Sequence, residues 1–449
     1  MTLVMKNRWV VTNCLHLIGF MDLLGVSMIL YMMPGHIKEL GGSATIGGLI
    51  GATYGGVQLF SSPLVGKWSD LRGRRYTLLV CLLMTAMSYY LMSISDWLSV
   101  VLISRLIVGV FKHSQNMCKS YLGEIHLHED RPTAFGHFNA FSSAAFIFGP
   151  LIGGHIADST GGFHAVCALS GTTFLVNIAL CWLCVPEITH RGHETKINGG
   201  PTTDNSLHAN NNKQPDDDAP PCVPAAAAEE ESASFSPRQL LSSLFDRDMW
   251  NALTDVFVLQ FMLSLPLIMY RTNFSMLLRE KYATSHRTNG YITSLTTIVG
   301  VAASFGAGRA VRLYGNDVAR LYLHASALLA VCLVALAYAP NLHVLLFFLA
   351  LLSISSAIAR ICSRQIVVSR CHADEIGGVT GMSGTVTSVA RMVAPLLGGI
   401  AMDVALEGPE LLGIAIVIVA VGYMLKYPPV YDHDKAAVAG ANRLSKKLK

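Results

Sequence analysis

Asp22, Arg105, Lys112, Asn116 and Arg391 are the first side chains to which chemistry can be assigned, because each interrupts a long apolar run. A lone carboxylate in hydrocarbon is costly, so Asp22 must face a cavity or a partner. Two readings fit it: a group that exchanges a proton, or a structural residue hydrogen-bonded to a neighbouring helix. Arg105, Gly109, Lys112, Asn116 and Lys119 recur at helical spacing and would share one face of a continuous helix. Lys119 is near a helix end and can snorkel, whereas Arg105 and Lys112 are too deep and should line an internal cavity. Arg391 adds a deep cation from far along the chain. Asp22 is the one comparably deep acid, with Asp255 nearer a helix end. An excess of buried cations favours an anionic or zwitterionic solute, which Arg can hold bidentately. The alternative is that Lys112 pairs with Asp22 and leaves the cavity close to neutral. His113, His137, His155 and His164 can relay protons, or simply pack. No nucleophile–base arrangement, phosphate-binding loop or metal-ligand spacing is present, so no enzyme activity, metal or cofactor is expected.

The elements that position these residues follow from composition. The chain has 449 residues, 52% apolar and 14% charged, with a mean hydropathy of +0.46; a soluble domain carries about 25% charge. Its net charge of +4 and scattered basic residues give no case for nucleic acid. Ten cysteines, spread through apolar stretches, form neither a disulfide framework nor a zinc pattern. Helices of about 20 apolar residues cross a bilayer. Such runs lie near 9–33, 46–65, 76–95, 97–118, 135–157 and 163–185, then near 250–274, 288–308, 318–339, 341–364, 376–402 and 409–427. The expected fold is therefore an all-α integral membrane protein of twelve transmembrane helices in two pseudo-symmetric six-helix bundles.

The domain expectation is one bundle over 1–185, a disordered linker over 186–248, a second bundle over 249–427 and a tail over 428–449. The linker is polar, acidic and Pro- and Ala-rich, without apolar periodicity. The cluster Lys67/Arg72/Arg74/Arg75, with Arg309, Arg312 and Arg320, lies on the linker side. That bias predicts a multi-pass protein with both termini cytoplasmic, in the plasma or an endolysosomal membrane.

The halves repeat. Gly136, Ala145, Pro150, Gly153 and Gly154 recur as Gly381, Ala390, Pro395, Gly398 and Gly399, each 245 positions on. "GKWSDLRGRR" (66–75) has a worn partner in "GRAVRLYGND", with Gly66 and Gly73 recurring as Gly308 and Gly315. Parallel duplication of a six-helix unit is a transporter architecture, with a site between the halves near the midplane.

"GKWSDLRGRR" resembles the loop 2–3 signature of the major facilitator superfamily. Arg105-x-x-x-Gly109 with Tyr121 and Glu124 resembles its fourth-helix motif. Gly136…Gly149-Pro150-x-x-Gly153-Gly154 is similar to the fifth-helix signature of drug/proton antiporters, and Asp22-x-x-Gly25 with Pro34 to tetracycline-resistance exporters. Ala145 stands where the antiporters usually have Gly, Tyr31 where the exporters commonly have a second Pro, and Arg312 where the first-half loop has Asp70.

The resemblance implies alternating access and roles for three groups of residues. Gly66 and Gly73 would allow a sharp turn. Asp70, Arg74, Arg75 and Glu124 would form a gating latch, Asp70 meeting a second-half helix and Arg74 pairing with Glu124; the alternative is a plain topology anchor in contact with anionic lipid. Gly136, Gly149, Pro150, Gly153 and Gly154, with Gly381, Pro395, Gly398 and Gly399, would form a hinge where spans five and eleven slide; the alternative is ordinary tight packing. The implied activity is secondary transport of a small organic solute by proton-coupled antiport, with a preference for organic anions. The expected partners are that solute, protons and the lipid bilayer, with the chain working as a monomer. A non-transporting sensor or adaptor and a proton-independent uniporter are the competing readings.

Overall fold

The computed structural model describes residues 8–127, 130–159, 161–187, 247–370 and 376–429. The expected linker and tail lie outside these residues, apart from 186–187, 247–248 and 428–429. Every regular element among the described residues is a helix.

Span one is Arg8–Leu30, continued by the short helix Met33–Glu39. Span two is Ala44–Arg72, three Arg74–Ser93, and four the pair Leu98–Phe111 and Ser114–Ile125. Span five is Arg131–Ser159 and six Gly162–Cys184. The second half supplies span seven (Arg247–Tyr282), eight (His286–Leu313), nine (Val318–Ala337), ten (Leu342–Ser369), eleven (Ile376–Val404) and twelve (Gly408–Lys426). Eleven of these stretches are long and apolar enough to cross a membrane. Span two, at 29 residues, is long enough but is diluted by glycines and serines. Its glycines are what allow close approach to a partner helix.

The duplication is visible in the packing. Span one packs on five and six, three on six, and two on four; correspondingly seven packs on eleven and twelve, nine on twelve, and eight on ten. The halves meet chiefly through span two against eleven and span five against eight, with a smaller contact of Met33–Glu39 on span seven. Span five therefore does not slide on span eleven as expected: each takes a glycine-bearing helix of the other half.

Three local expectations are corrected. Gly73 sits between helices with φ of 97°, a backbone conformation glycine adopts without penalty, and its repeat Gly315 has φ of 63°. Gly66 is instead inside the span-two helix, with nothing within 4 Å of an added Cβ. Span four is broken at Lys112–His113, so the continuous cationic face does not exist. Spans seven and ten run on past the expected ends to Tyr282 and Ser369, because a charge that faces an internal space does not end a helix.

One end of the molecule is shut and the other is open. At the shut end an added Cβ on Gly154 of span five would meet the His286 carbonyl of span eight at 2.6 Å. Gly290, Gly48 and Gly399 press still closer on the backbones of Pro150, Pro395 and Ala44. Asp403 of span eleven accepts hydrogen bonds from the first amides of span two, Ala44 at 2.9 Å and Thr45 at 2.8 Å. Asp158 of span five does the same for Arg287 N of span eight at 3.0 Å. Carboxylates at helix N-termini are favoured by the unpaired amides and the dipole there. Asp158 and Asp403 are themselves 245 positions apart. Ion pairs Lys38–Glu280 (2.6 Å) and Arg279–Glu39 (2.9 Å) cross the same end. Towards the other end, Gly136, Gly300, Gly308, Gly381 and Gly384 have nothing within 4 Å of an added Cβ. There no glycine brings the backbones of the two halves together as at the shut end.

Candidate functional site

The break in span four builds the centre of the site. Lys112 ends the first segment with ψ of 63°, which frees carbonyls that hydrocarbon cannot satisfy. Span two supplies the partners: Gln58 Nε2 donates to Lys112 O at 3.0 Å, and Ser61 Oγ to Gly109 O at 3.1 Å. Ser61 Oγ also meets His113 Nε2 at 2.8 Å. The turn aims the Lys112 ammonium at Asp22 of span one, with which it forms an ion pair. Asp22 is 0% exposed and Lys112 8%. The Asp22 carboxylate also accepts from Ser114 Oγ at 2.7 Å and Gln115 Nε2 at 3.0 Å. Lys112 Nζ lies 4.8 Å from the centre of the Phe174 ring. The pair is thus fully ligated by the first half.

Arg105 is 7% exposed and has no carboxylate partner among the described residues. Its guanidinium lies 5.7 Å from the Tyr89 ring centre and 3.7 Å from Met92 Sδ. Neither Arg105 Nε nor Tyr89 Oη has a hydrogen-bond partner among the described residues. Tyr54 of span two is within electrostatic range of Arg105, Arg391 and Asp22, so it marks where the halves' charged groups converge. Arg391 is exposed on span eleven, and Asn116 is exposed beyond the break.

The remaining expected residues divide by position. Arg74 pairs with Glu124 and, at 3.0 Å, with Asp70, while Arg75 donates to Trp182 O at 2.6 Å. All these contacts stay within the first half. Gly149 and Gly153 press on Ser27 and Met28 of span one, and Gly398 on Asn273 and Met269 of span seven. They set packing inside each half. Gly154, Gly399, Pro150 and Pro395 lie where the halves meet, and Gly136 and Gly381 face open space.

Three cations inside the expected spans were not singled out: Arg271 on span seven and Arg360 and Arg364 on span ten. All three are solvent-reachable. Arg360 is within electrostatic range of both other arginines, and Arg364 within range of Lys119 across the opening. The signal was available: "ARICSR" puts two arginines one turn apart in an apolar run. Asp255 is not a free acid; it pairs with Arg370 at 2.7 Å.

Comparison with known proteins bears on what this arrangement belongs to. The family model of the Major Facilitator Superfamily matches residues 15–395 and 256–447. The class E tetracycline resistance protein of Escherichia coli is 31% identical over 164 residues, covering 35% of this chain and 40% of that protein. This chain therefore aligns to well under half of that relative's length. Multidrug resistance protein 2 of Bacillus subtilis (strain 168) is 24% identical over 440 residues, covering 94% of this chain and 95% of that one. Among solved structures, the human organic anion transporter MFSD10 (TETRAN) superposes with a TM-score of 0.60 at 20% identity, covering 93% of this chain and 99% of that chain. The nucleoside transporter NupG gives 0.68 at 11% identity, covering 92% and 98%. Likeness at such identities speaks for the fold alone.

Proposed function

The chain belongs to the Major Facilitator Superfamily, and from that premise we propose that it is a secondary transporter carrying a small organic anion by alternating access, coupled to protons. The observation that carries the reading is the space between the halves, open at one end, shut at the other and bordered by cations without acidic partners among the described residues. By the positive-inside rule the open end, which holds Arg72, Arg74 and Arg75, is cytoplasmic, so this is the inward-open state. Arg105 and Arg391 hold the solute with Tyr54, and Asn116 lines its route. Asp22 carries the proton. In the opposite state the Asp70–Arg74–Glu124 group latches the inner end while the Gly154 and Gly399 contacts part.

The fifth-helix resemblance supports antiport. A second reading, proton–anion symport, is favoured by one geometric fact: Asp22 and an anionic solute would compete for Lys112. An anion that draws Lys112 away leaves Asp22 to be neutralised by a proton, so solute and proton would bind together.

Flux in proteoliposomes under an imposed pH gradient tests both. Organic anions, zwitterions and cations are compared in wild type, Asp22→Asn and Lys112→Ala. Gradient-driven anion flux lost in both variants supports a proton-coupled anion carrier, and the sign of proton movement separates antiport from symport. Downhill flux untouched by Asp22→Asn would point to a uniporter. Absence of flux for every solute in folded protein would leave the sensor reading.

A further inference from the structure

The cations that border the opening are more numerous and more widely spread than one anionic group can use. Counting 1.5 Å per residue from the shut ends of their helices, Arg105 and Arg271 lie roughly 10–16 Å deep, Arg391 roughly 20 Å, and Arg360, Lys119 and Arg364 roughly 27–33 Å. They form a column rather than a point. Its members are near enough to interact: Arg271 with Arg360, Arg360 with Arg364, Arg364 with Lys119, and Arg105 and Arg391 both with Tyr54. Among the described residues no ion pair joins any of them to a carboxylate. Arg360 has one long contact to a hydroxyl, Ser356 Oγ at 3.5 Å. Arg105, more than nine-tenths buried, leaves its Nε without a hydrogen-bond partner among the described residues.

Like charges in a partly enclosed space repel, and a bound anion would relieve cations that pair with no carboxylate among the described residues. One carboxylate is satisfied by a single guanidinium fork. The column has sites at its deep end, Arg105, Arg271 and Arg391 with Tyr54, and at its mouth, Arg360, Arg364 and Lys119. Both ends draw on the two halves, so a ligand that spans them bridges the bundles.

Resting on the anion-carrier reading above, we infer that the solute is multivalent: an elongated organic anion with at least two anionic groups, one held at the deep cations and one at Arg360/Arg364/Lys119. A metabolite with two carboxylates and one with a carboxylate and a phosphate share this chemistry.

The test uses the full chain, purified in detergent, and two ligand series of matched length. Straight-chain monocarboxylates and α,ω-dicarboxylates of four to ten carbons are titrated for protection against thermal unfolding, with ω-phosphonocarboxylates as a third arm. Dicarboxylates should protect at concentrations at least about tenfold below monocarboxylates of the same length, with an optimum at the longer members. In Arg360→Gln/Arg364→Gln that ratio should fall towards one, while Arg360→Lys/Arg364→Lys, which keeps the charge, should retain most of it. Tighter binding by the phosphonate arm would assign the second group to phosphate chemistry within the same inference. Equal potency of mono- and dicarboxylates in the unaltered chain would overturn the inference and leave the anion carrier standing. A dicarboxylate preference that survives the double Gln variant would overturn the assignment to span ten. Protection and flux by no anion, in protein that melts cooperatively, would remove the anion-carrier reading itself. The series on the unaltered chain decides valence even if the Gln variants fail to fold.

Discussion

Gly154→Ala should open the shut end. An added Cβ there meets the His286 carbonyl at 2.6 Å, Arg287 Cα at 3.1 Å and Tyr31 Oη at 3.1 Å. The two nearest of these atoms belong to backbone, which cannot rotate aside as a side-chain tip can. Spans five and eight would have to part by about 0.4–0.8 Å to restore an ordinary contact. Inserting a methyl group into a packed contact costs about 1–3 kcal/mol. Alternating access separates these helices in the other state, so the cost falls on the shut state alone. The shut-to-open ratio at this end should therefore drop about 5- to 140-fold, at about 1.4 kcal/mol per tenfold. Hydrogen exchange in nanodiscs reads this directly: amides near 286–292 and 150–158 should exchange faster, and those lining the open end more slowly. Gly300→Ala on the same span eight meets nothing within 4 Å and should change neither. Unchanged exchange and melting in Gly154→Ala, or an equal effect from Gly300→Ala, would refute the reasoning.

The two carboxylate caps at the shut end should behave alike: Asp158→Ala and Asp403→Ala each remove acceptors for helix-start amides, at about 0.5–2 kcal/mol. Their effects on exchange at the shut end should add in the double variant, because the sites lie on different helix pairs. Asp22→Leu strands Lys112 as a buried unpaired charge and should destabilise by about 3–5 kcal/mol; Asp22→Leu/Lys112→Leu should melt well above the single variant, as denaturation of the purified chain would show. Arg105→Gln removes a guanidinium that has no carboxylate partner among the described residues. It should weaken anion binding about 10- to 100-fold, the worth of a charged hydrogen bond, with little change in melting temperature.

Much of the architecture was legible in order along the chain, because a bilayer imposes a one-dimensional rule. A helix that crosses must be apolar over about 20 residues, and twelve such runs could be read. The duplication was legible for a similar reason: where two backbones approach, only a small residue fits, so Gly154 and Gly399 mark equivalent places at a constant offset. The functional charges were legible as types. Asp22, Arg105, Lys112 and Arg391 are expensive in hydrocarbon and had to have a use or a partner. Arg271, Arg360 and Arg364 fall inside the expected spans 250–274 and 341–364 and carry the same signal, but were not singled out there.

What the sequence determined by itself is thus the helix inventory, the repeat and the presence of deep charge. Which partner each charge and glycine takes was decided in three dimensions. Spacing alone put Arg105, Lys112 and Asn116 on one face; the break at Lys112 turned that lysine to Asp22 and left Arg105 without an acid. The break is stable because Gln58 and Ser61 of span two accommodate the carbonyls it frees. Gly136 and Gly154 carry the same side chain in one motif, yet one faces open space and the other a carbonyl of span eight. Tertiary packing separates them, because the two halves are shut at one end and apart at the other. That asymmetry belongs to the conformational state and has no counterpart in the order of residues.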